Sequence, residues 1–120
     1  MVLVGAYTGT RPRELASIRC EDLRRDFVIV RGGVTGPKNS REREVPIVEK
    51  LEQLIEERGW RKLKGPLFSI QTPARALGNA CERLGMAKLT PYDLRHFFVT
   101  SCVEAGVDVP TVALWAGHTD

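Results

Sequence analysis

The stretch "TPYDLRHFFVTSCVEAG", residues 90–106, decides the fold of this chain. Thr90 suits an N-cap, Pro91 suits the first helical position and Asp93 completes a capping-box pattern, so a helix is predicted to begin here. The glycine at the end of the stretch is typical of the residue that follows a helix. At about 100° per residue, the apolar side chains form one broad arc, and Arg95 lies inside it. The arc contains Leu94, Phe97, Phe98, Val99, Cys102, Val103 and Ala105, whereas His96, Thr100 and Glu104 lie on the polar side.

An arginine on the apolar face of a helix requires an anionic partner. Burying a guanidinium without one costs several kcal/mol, so an acidic group is expected to meet Arg95. One interpretation is a structural ion pair with a Glu or Asp that faces the core. The other is an anionic ligand, and that interpretation requires further cations nearby.

Two other cations favour the ligand. In "YTGTRPREL" (7–15), Gly9 interrupts the chain and Pro12 opens a helix. Arg11 is therefore predicted at a helix start, where free N–H groups favour a bound anion. Lys38 is predicted at the tip of a basic hairpin, although a lone lysine in a turn is usually only solvated. The hypothesis is that the three cations converge on one anion, with the ion pair and the solvated lysine as alternatives.

Length and composition set the class of protein. A chain of 120 residues with 42% hydrophobic residues forms one domain with a modest core. The formal net charge of +3 permits a polyanionic partner without demanding one. Three widely spaced cysteines argue against a disulfide framework or a zinc site and favour a reducing compartment. No apolar run is long enough for a membrane span or a signal peptide, so a cytoplasmic protein without a membrane partner is predicted.

The remaining segments predict a mostly helical α+β fold with one small β element. "DFVIV" (26–30) and "REREVPI" (41–47) are predicted to pair as a hairpin, and "GPLFSI" (65–70) is a third strand or an extended link. The sheet is therefore a β-hairpin or a three-stranded antiparallel sheet. Further helices are predicted at the end of "MVLVGAY" (1–7) and over residues 11–18, 48–60, 72–85 and 108–117.

Three segments resemble, in order, the motifs of the tyrosine recombinase/phage integrase family. "TGTRPRELASIRCEDL" (8–23) resembles its first arginine motif, and "KNSREREVPI" (38–47) resembles its lysine β-hairpin. "YDLRHFFVTSCVEAGVDVPTVALWAGH" (92–118) resembles its second arginine motif and the Gly-His motif that follows. The resemblance covers nearly the whole chain and implies that residues 1–120 are one partial catalytic domain with that family's helical core.

This resemblance implies DNA strand cleavage and rejoining through a covalent 3′-phosphotyrosyl intermediate. Arg11 and Arg95 match the paired catalytic arginines, whose planar guanidinium groups clamp the phosphate oxygens. Lys38 matches the general acid that protonates the departing 5′ oxygen, and His118 matches the histidine of the Gly-His motif. Tyr92 occupies the place of a frequent histidine, but with a pKa of about 10 it cannot act as a base near neutral pH.

The partners follow from the same resemblance. Double-stranded DNA is the expected partner, with self-association on DNA in the full-length protein and a nucleoid-associated location. No metal or cofactor is expected. Glu14 is expected to support the Arg11 loop as a cap or an ion pair. Additional DNA contacts are expected from Arg13, Arg41, Arg43 and His96, although a solvated or capping role is also open for His96.

Departures from the family pattern leave alternatives open. The family's nucleophile lies fewer than about three helical turns beyond the Gly-His motif, where neither Tyr7 nor Tyr92 stands. The chain is therefore expected to be the middle of a catalytic domain, trimmed at both ends and inactive alone. Residues 102–118 also suit a non-catalytic helix-turn-helix module, but its second helix carries no arginine. An inactive remnant of an integrase is the remaining alternative.

Overall fold

A computed structural model describes residues 1–31 and 42–117 of the chain. Within these ranges the chain forms six α-helices, two β-strands and two short 3-10 helices at Cys20–Asp22 and Trp60–Lys62. The predicted α+β, mostly helical class is confirmed. In chain order the elements are α1 (Val2–Thr8), α2 (Pro12–Ser17), β1 (Phe27–Val30), β2 (Arg43–Pro46), α3 (Glu49–Arg58), α4 (Ala74–Arg83), α5 (Pro91–Glu104) and α6 (Val109–Ala116).

Local capping marks the starts of α5 and α6. The Asp93 carboxylate accepts a hydrogen bond of 2.7 Å from the N–H of Thr90, which confirms the predicted start of α5. Asp108 caps α6 by accepting from the N–H of Thr111 at 3.0 Å. Gly117 ends α6 in the left-handed conformation, with φ of 75°.

The two strands form an antiparallel pair whose inner face joins the core. Phe27 pairs with Pro46 at one end of the register and Val30 pairs with Arg43 at the other. Alternating residues point inward, and Val28, Val30 and Val45 are fully buried. Of the two predictions for residues 65–70, a third strand or an extended link, the strand does not form, and the described sheet has two strands. Leu67 of this segment instead donates a backbone hydrogen bond of 2.9 Å to Ile18, beside the end of α2.

Helix α1 packs against α2, α3 and α5. The main core comprises Val4, Leu15, Ile18, Leu23, Val28, Val30, Val45, Leu51, Ile55 and Phe98. A smaller cluster of Leu77, Cys81 and Leu94 joins α4 to α5. All three cysteines are free thiols. No helix in the described ranges is long and apolar enough to cross a membrane.

The buried side of α5 is narrower than the apolar arc of its sequence. Leu94, Arg95 and Phe98 are buried, as the arc predicts. Phe97 and Val103 also belong to the apolar arc, but they are 53% and 47% exposed. The reason is geometric: α5 packs mainly against α1 and α6, with α4 adding a contact at Leu94, and these neighbours cover only a strip of α5. Arg95 lies within that strip.

Candidate functional site

Arg95 is buried on α5 and is held by a main-chain oxygen. The whole residue is only 8% exposed, and its Nη1 donates to the Gly9 carbonyl oxygen at 2.9 Å. No Asp or Glu in the described ranges forms a salt bridge with it. The structural ion pair that the sequence left open is therefore not observed among these residues.

The conformation of Gly9 makes this contact possible. Gly9 ends α1 with φ of 67°, a left-handed conformation that L side chains rarely adopt. A Cβ atom at this position would overlap the ring of Phe98, lying 2.8 Å from its Cγ atom. The absence of a side chain thus lets the chain turn directly against α5. That turn brings the Gly9 carbonyl to Arg95.

Arg11 lies at the start of α2 and reaches the end of α6. Its backbone N–H donates to Oε1 of Glu14 at 2.8 Å, so Glu14 caps this helix as expected. Its Nη2 donates to the Gly117 carbonyl oxygen at 3.0 Å, which joins two segments 106 residues apart. The side chain of Arg11 remains 40% exposed. A guanidinium in this position is fixed by the protein and still open to an anion.

Glu14 is the buried carboxylate of the site. Nη1 and Nη2 of Arg43 donate to its two oxygens at 2.8 and 2.7 Å, and the two side chains are 3% and 9% exposed. Burial raises the pKa of Glu14, but the hydrogen bonds from Arg43 and from the N–H of Arg11 outweigh burial and hold that pKa below its ordinary value. Glu14 is therefore ionised at neutral pH.

Arg43 joins β2 to both α2 and α6. Besides pairing with Glu14, its Nε donates to the Trp115 carbonyl oxygen at 2.7 Å. Gly117 packs directly on the guanidinium, since a Cβ atom there would lie 2.6 Å from Nη1. Every nitrogen of this guanidinium bonds inside the protein. Arg43 was expected to contact DNA. Because its guanidinium is bonded within the protein, we do not propose a DNA contact for it.

Arg11, Arg43 and Arg95 belong to one site, because Arg11 and Arg43 both lie beside Glu14 and Arg95 is bonded to Gly9, two residues before Arg11. Burial lowers the pKa of Arg95 most, and the charges of Arg11 and Arg43 lower that pKa further. Glu14 opposes this effect as the neighbouring carboxylate. Arg43 forms the short hydrogen bonds to both oxygens of Glu14, whereas the ion pair of Glu14 with Arg11 is longer, at 3.6 Å, so the guanidinium groups of Arg11 and Arg95 keep N–H donors for a ligand. The arrangement is suited to binding a phosphate.

The other predicted residues divide into two groups. Tyr92 is 58% exposed and lies near enough to Arg95 to influence its pKa. Arg13 on α2 and His96 on α5 are exposed at the surface. The remaining candidates, Lys38, Arg41 and His118, lie outside the described residues.

Sequence reasoning missed the role of Arg43 and the carbonyl partners of the arginines. A signal for Arg43 was present, because it stands two residues before Val45 in a strand and so lies on the same face as that buried residue. No comparable signal marks the carbonyls of Gly9, Trp115 and Gly117, since every residue carries a carbonyl group.

Comparison with known proteins places these motifs in a family. The model of the phage integrase family matches residues 1–120. The tyrosine recombinase XerA of Pyrococcus furiosus is 30% identical in an alignment of 130 positions. The alignment covers 98% of this chain and 45% of that protein. The chain thus spans about half the length of the curated relatives it matches.

Solved structures share the fold. A crystal structure of XerA recombinase matches with a TM-score of 0.80 and 26% identity, covering 98% of this chain and 46% of that chain. The Tn1549 transposon integrase in complex with transposon right end DNA matches with a TM-score of 0.77 and 19% identity, covering 99% and 50%. Both matches extend over nearly all of the chain.

Proposed function

The chain belongs to the phage integrase family, and from this premise we propose that it binds double-stranded DNA and activates a backbone phosphate for cleavage and rejoining as part of a tyrosine recombinase catalytic domain. The observation that carries the proposal is the convergence of Arg11 and Arg95. These residues lie 84 positions apart in sequence, yet Arg95 donates a hydrogen bond of 2.9 Å to the carbonyl oxygen of Gly9, two residues before Arg11. The DNA bound to the Tn1549 integrase supports the choice of partner.

The chemistry follows from the geometry of the two guanidinium groups. Attack on a phosphodiester increases the negative charge on the nonbridging oxygens, and donors fixed in advance stabilise that charge. The bond to Gly9 uses one of the five N–H donors of Arg95. The Nε and Nη2 atoms of Arg95 donate to no described residue. They can bond a phosphate oxygen.

The remaining roles are proposed from the family motifs. Lys38 would protonate the departing 5′ oxygen and His118 would hydrogen-bond a phosphate oxygen. Tyr92 would contact the DNA from the side of Arg95 without acting as a base. Further contacts are proposed for Arg13, Arg41 and His96. We also propose self-association on DNA in the whole protein and action in the cytoplasm, on the DNA of the nucleoid.

The helix-turn-helix alternative is not favoured. A recognition helix contacts DNA through exposed polar and basic side chains near its start. Helix α6 instead exposes Val109 and Leu114, at 68% and 67%, and it carries no basic residue. Arg95, the cation of the preceding helix, is buried. Neither helix therefore offers the surface that such a module uses.

Binding of a fluorescein-labelled DNA duplex, measured by anisotropy over a range of salt concentrations, tests the proposal. The chain should bind weakly, with little sequence preference and with an affinity that falls as salt rises. Arg11→Ala and Arg95→Ala should each weaken binding by about five- to tenfold. Arg58→Ala is the matched control, because it removes the same charge near Met1, at the other end of α1. Equal losses for all three variants, or no binding at low salt, would contradict the proposal.

A further inference from the structure

We infer that Arg43 is a positioning residue, which holds both carboxylate oxygens of Glu14 and so prevents this carboxylate from forming a close, hydrogen-bonded pair with the guanidinium of either phosphate-binding arginine. This inference rests on the proposed function and adds a residue to it. Arg43 does not touch the phosphate in this arrangement. It acts through Glu14 and through the end of α6.

The first support is the division of hydrogen bonds around Glu14. Arg43 donates to both carboxylate oxygens, at 2.7 and 2.8 Å. Arg11 is only three residues from Glu14 in sequence, yet its guanidinium forms only a longer ion pair with this carboxylate, with Nη1 3.6 Å from Oε2 and so beyond hydrogen-bond distance. The short guanidinium hydrogen bonds to Glu14 therefore come from Arg43, which is farther away in sequence than Arg11. The guanidinium of Arg11 bonds to Gly117 instead.

The second support is what Glu14 would do without Arg43. A buried carboxylate that loses its partner is left with a large desolvation cost. Arg11 and Arg95 are the neighbouring cations in the described structure. Rotation of Glu14 toward either one would neutralise a charge that the site needs for the phosphate. Arg43 prevents this because it occupies both oxygens with a bidentate pair.

The third support is the contact of Arg43 with the end of α6. Its Nε bonds the Trp115 carbonyl, and Gly117 lies against its guanidinium. The carbonyl of Gly117 in turn accepts from Arg11. Arg43 therefore fixes the main chain to which Arg11 is bonded, in addition to holding Glu14.

Rescue by a second substitution distinguishes this role from a direct DNA contact. Arg43→Ala should weaken binding of the labelled duplex by about tenfold, equivalent to about 1.4 kcal/mol. Adding Glu14→Gln should restore most of that affinity, because the amide cannot neutralise Arg11 or Arg95 but can still accept from the N–H of Arg11. If Arg43 bound DNA itself, or served only to hold the fold together, the double variant would stay as weak as Arg43→Ala.

A second measurement applies if Arg43→Ala does not fold. Arg43→Lys keeps a cation but can no longer form the bidentate pair. In this variant the Nε–H resonance of Arg11 in a nitrogen–proton spectrum should shift as Glu14 approaches it, and Glu14→Gln should cancel that shift. An unchanged resonance would overturn the inference. This readout needs no DNA, so failure of the wild-type chain to bind the duplex counts against the proposed function alone.

Discussion

The buried guanidinium of Arg95 is bonded to the carbonyl oxygen of Gly9, at 2.9 Å and across 86 residues of sequence. This bond orients the arginine through a neutral acceptor and not through a salt bridge with a carboxylate. A carboxylate partner would neutralise the charge, whereas a carbonyl fixes the side chain and leaves the charge intact. The relationship therefore allows a buried arginine to serve a ligand, and it leads to predictions about stability as well as binding.

Gly9→Ala should lower the free energy of unfolding by about 2–5 kcal/mol. The left-handed conformation accounts for about 1–2 kcal/mol, and overlap with the Phe98 ring adds the rest. Urea unfolding measures the change. Gly85→Ala is a matched control, because Gly85 has a φ of 66° but nothing within 4 Å of a Cβ atom. That variant should lose only about 1–2 kcal/mol. Equal losses at the two positions would show that Phe98 does not restrict Gly9.

Arg95→Met should change the free energy of unfolding by less than about 1 kcal/mol, or raise it, while weakening DNA binding. Burial and the charges of Arg11 and Arg43 all disfavour the cation, so a side chain of similar volume without charge removes that cost. Chemical unfolding and duplex binding, measured on the same samples, separate the two effects. A large loss of stability would instead indicate a structural partner for Arg95.

Arg43→Met should have the opposite effect on stability. It leaves the buried carboxylate of Glu14 without its bidentate partner, which should cost about 3–5 kcal/mol. The same unfolding experiment compares it with Arg95→Met. The two variants remove identical chemical groups, so comparable stabilities would contradict the distinct roles assigned to these arginines.

The pH dependence of stability should contain a contribution from Glu14. Its pKa in the folded state lies below the ordinary value, which is about 4.3 in an unfolded chain. The stabilisation is therefore fully present above that ordinary value and is lost as pH falls through the lower, folded-state pKa. Urea unfolding at several acidic pH values measures the loss. Glu14→Gln should remove this part of the acid dependence and leave the part due to other groups, and an unchanged profile would exclude Glu14 as its source.

The 120-residue polypeptide should form no covalent product with a nicked suicide DNA substrate. Tyr7 is half-buried against the core, and Tyr92 lies on α5 one turn before Arg95, a poor place for in-line attack on a phosphate held there. Denaturing gel electrophoresis checks the prediction. A covalent band that disappears in Tyr92→Phe would identify Tyr92 as the nucleophile and overturn the role proposed for it.

Local signals were sufficient to predict much of the fold. Caps such as Thr90 with Asp93, and Asp108, act over a few residues, so the sequence marks their helices directly. The same holds for Arg95, whose burial follows from its position on the helix wheel. The exposure of Phe97 could not be predicted, because it depends on how much of α5 its neighbours cover.

Contacts between residues far apart in sequence limit how much of the site can be predicted from the sequence. The pairing of Arg43 with Glu14 joins residues 29 positions apart, and either side chain could have had another partner. The expectation of a DNA contact for Arg43 used its charge and neglected the face of the strand on which it lies. Charge alone does not distinguish a cation that holds the protein together from one that binds a ligand.

Three arginines of the site are anchored on main-chain carbonyls: Arg11 on Gly117, Arg43 on Trp115 and Arg95 on Gly9. Such an anchor has no side chain that a mutation could remove. Trp115 could be replaced, during evolutionary drift or in a randomised library, by a residue that packs in the same way. The main-chain carbonyl at this position would still accept the hydrogen bond from Arg43. Gly9 and Gly117 are different, because both have a positive φ and a Cβ atom at either would overlap a neighbouring side chain. Other residues are therefore disfavoured at these two positions. Directed evolution of this domain should therefore keep Gly9 and Gly117 fixed and can vary the side chain at Trp115.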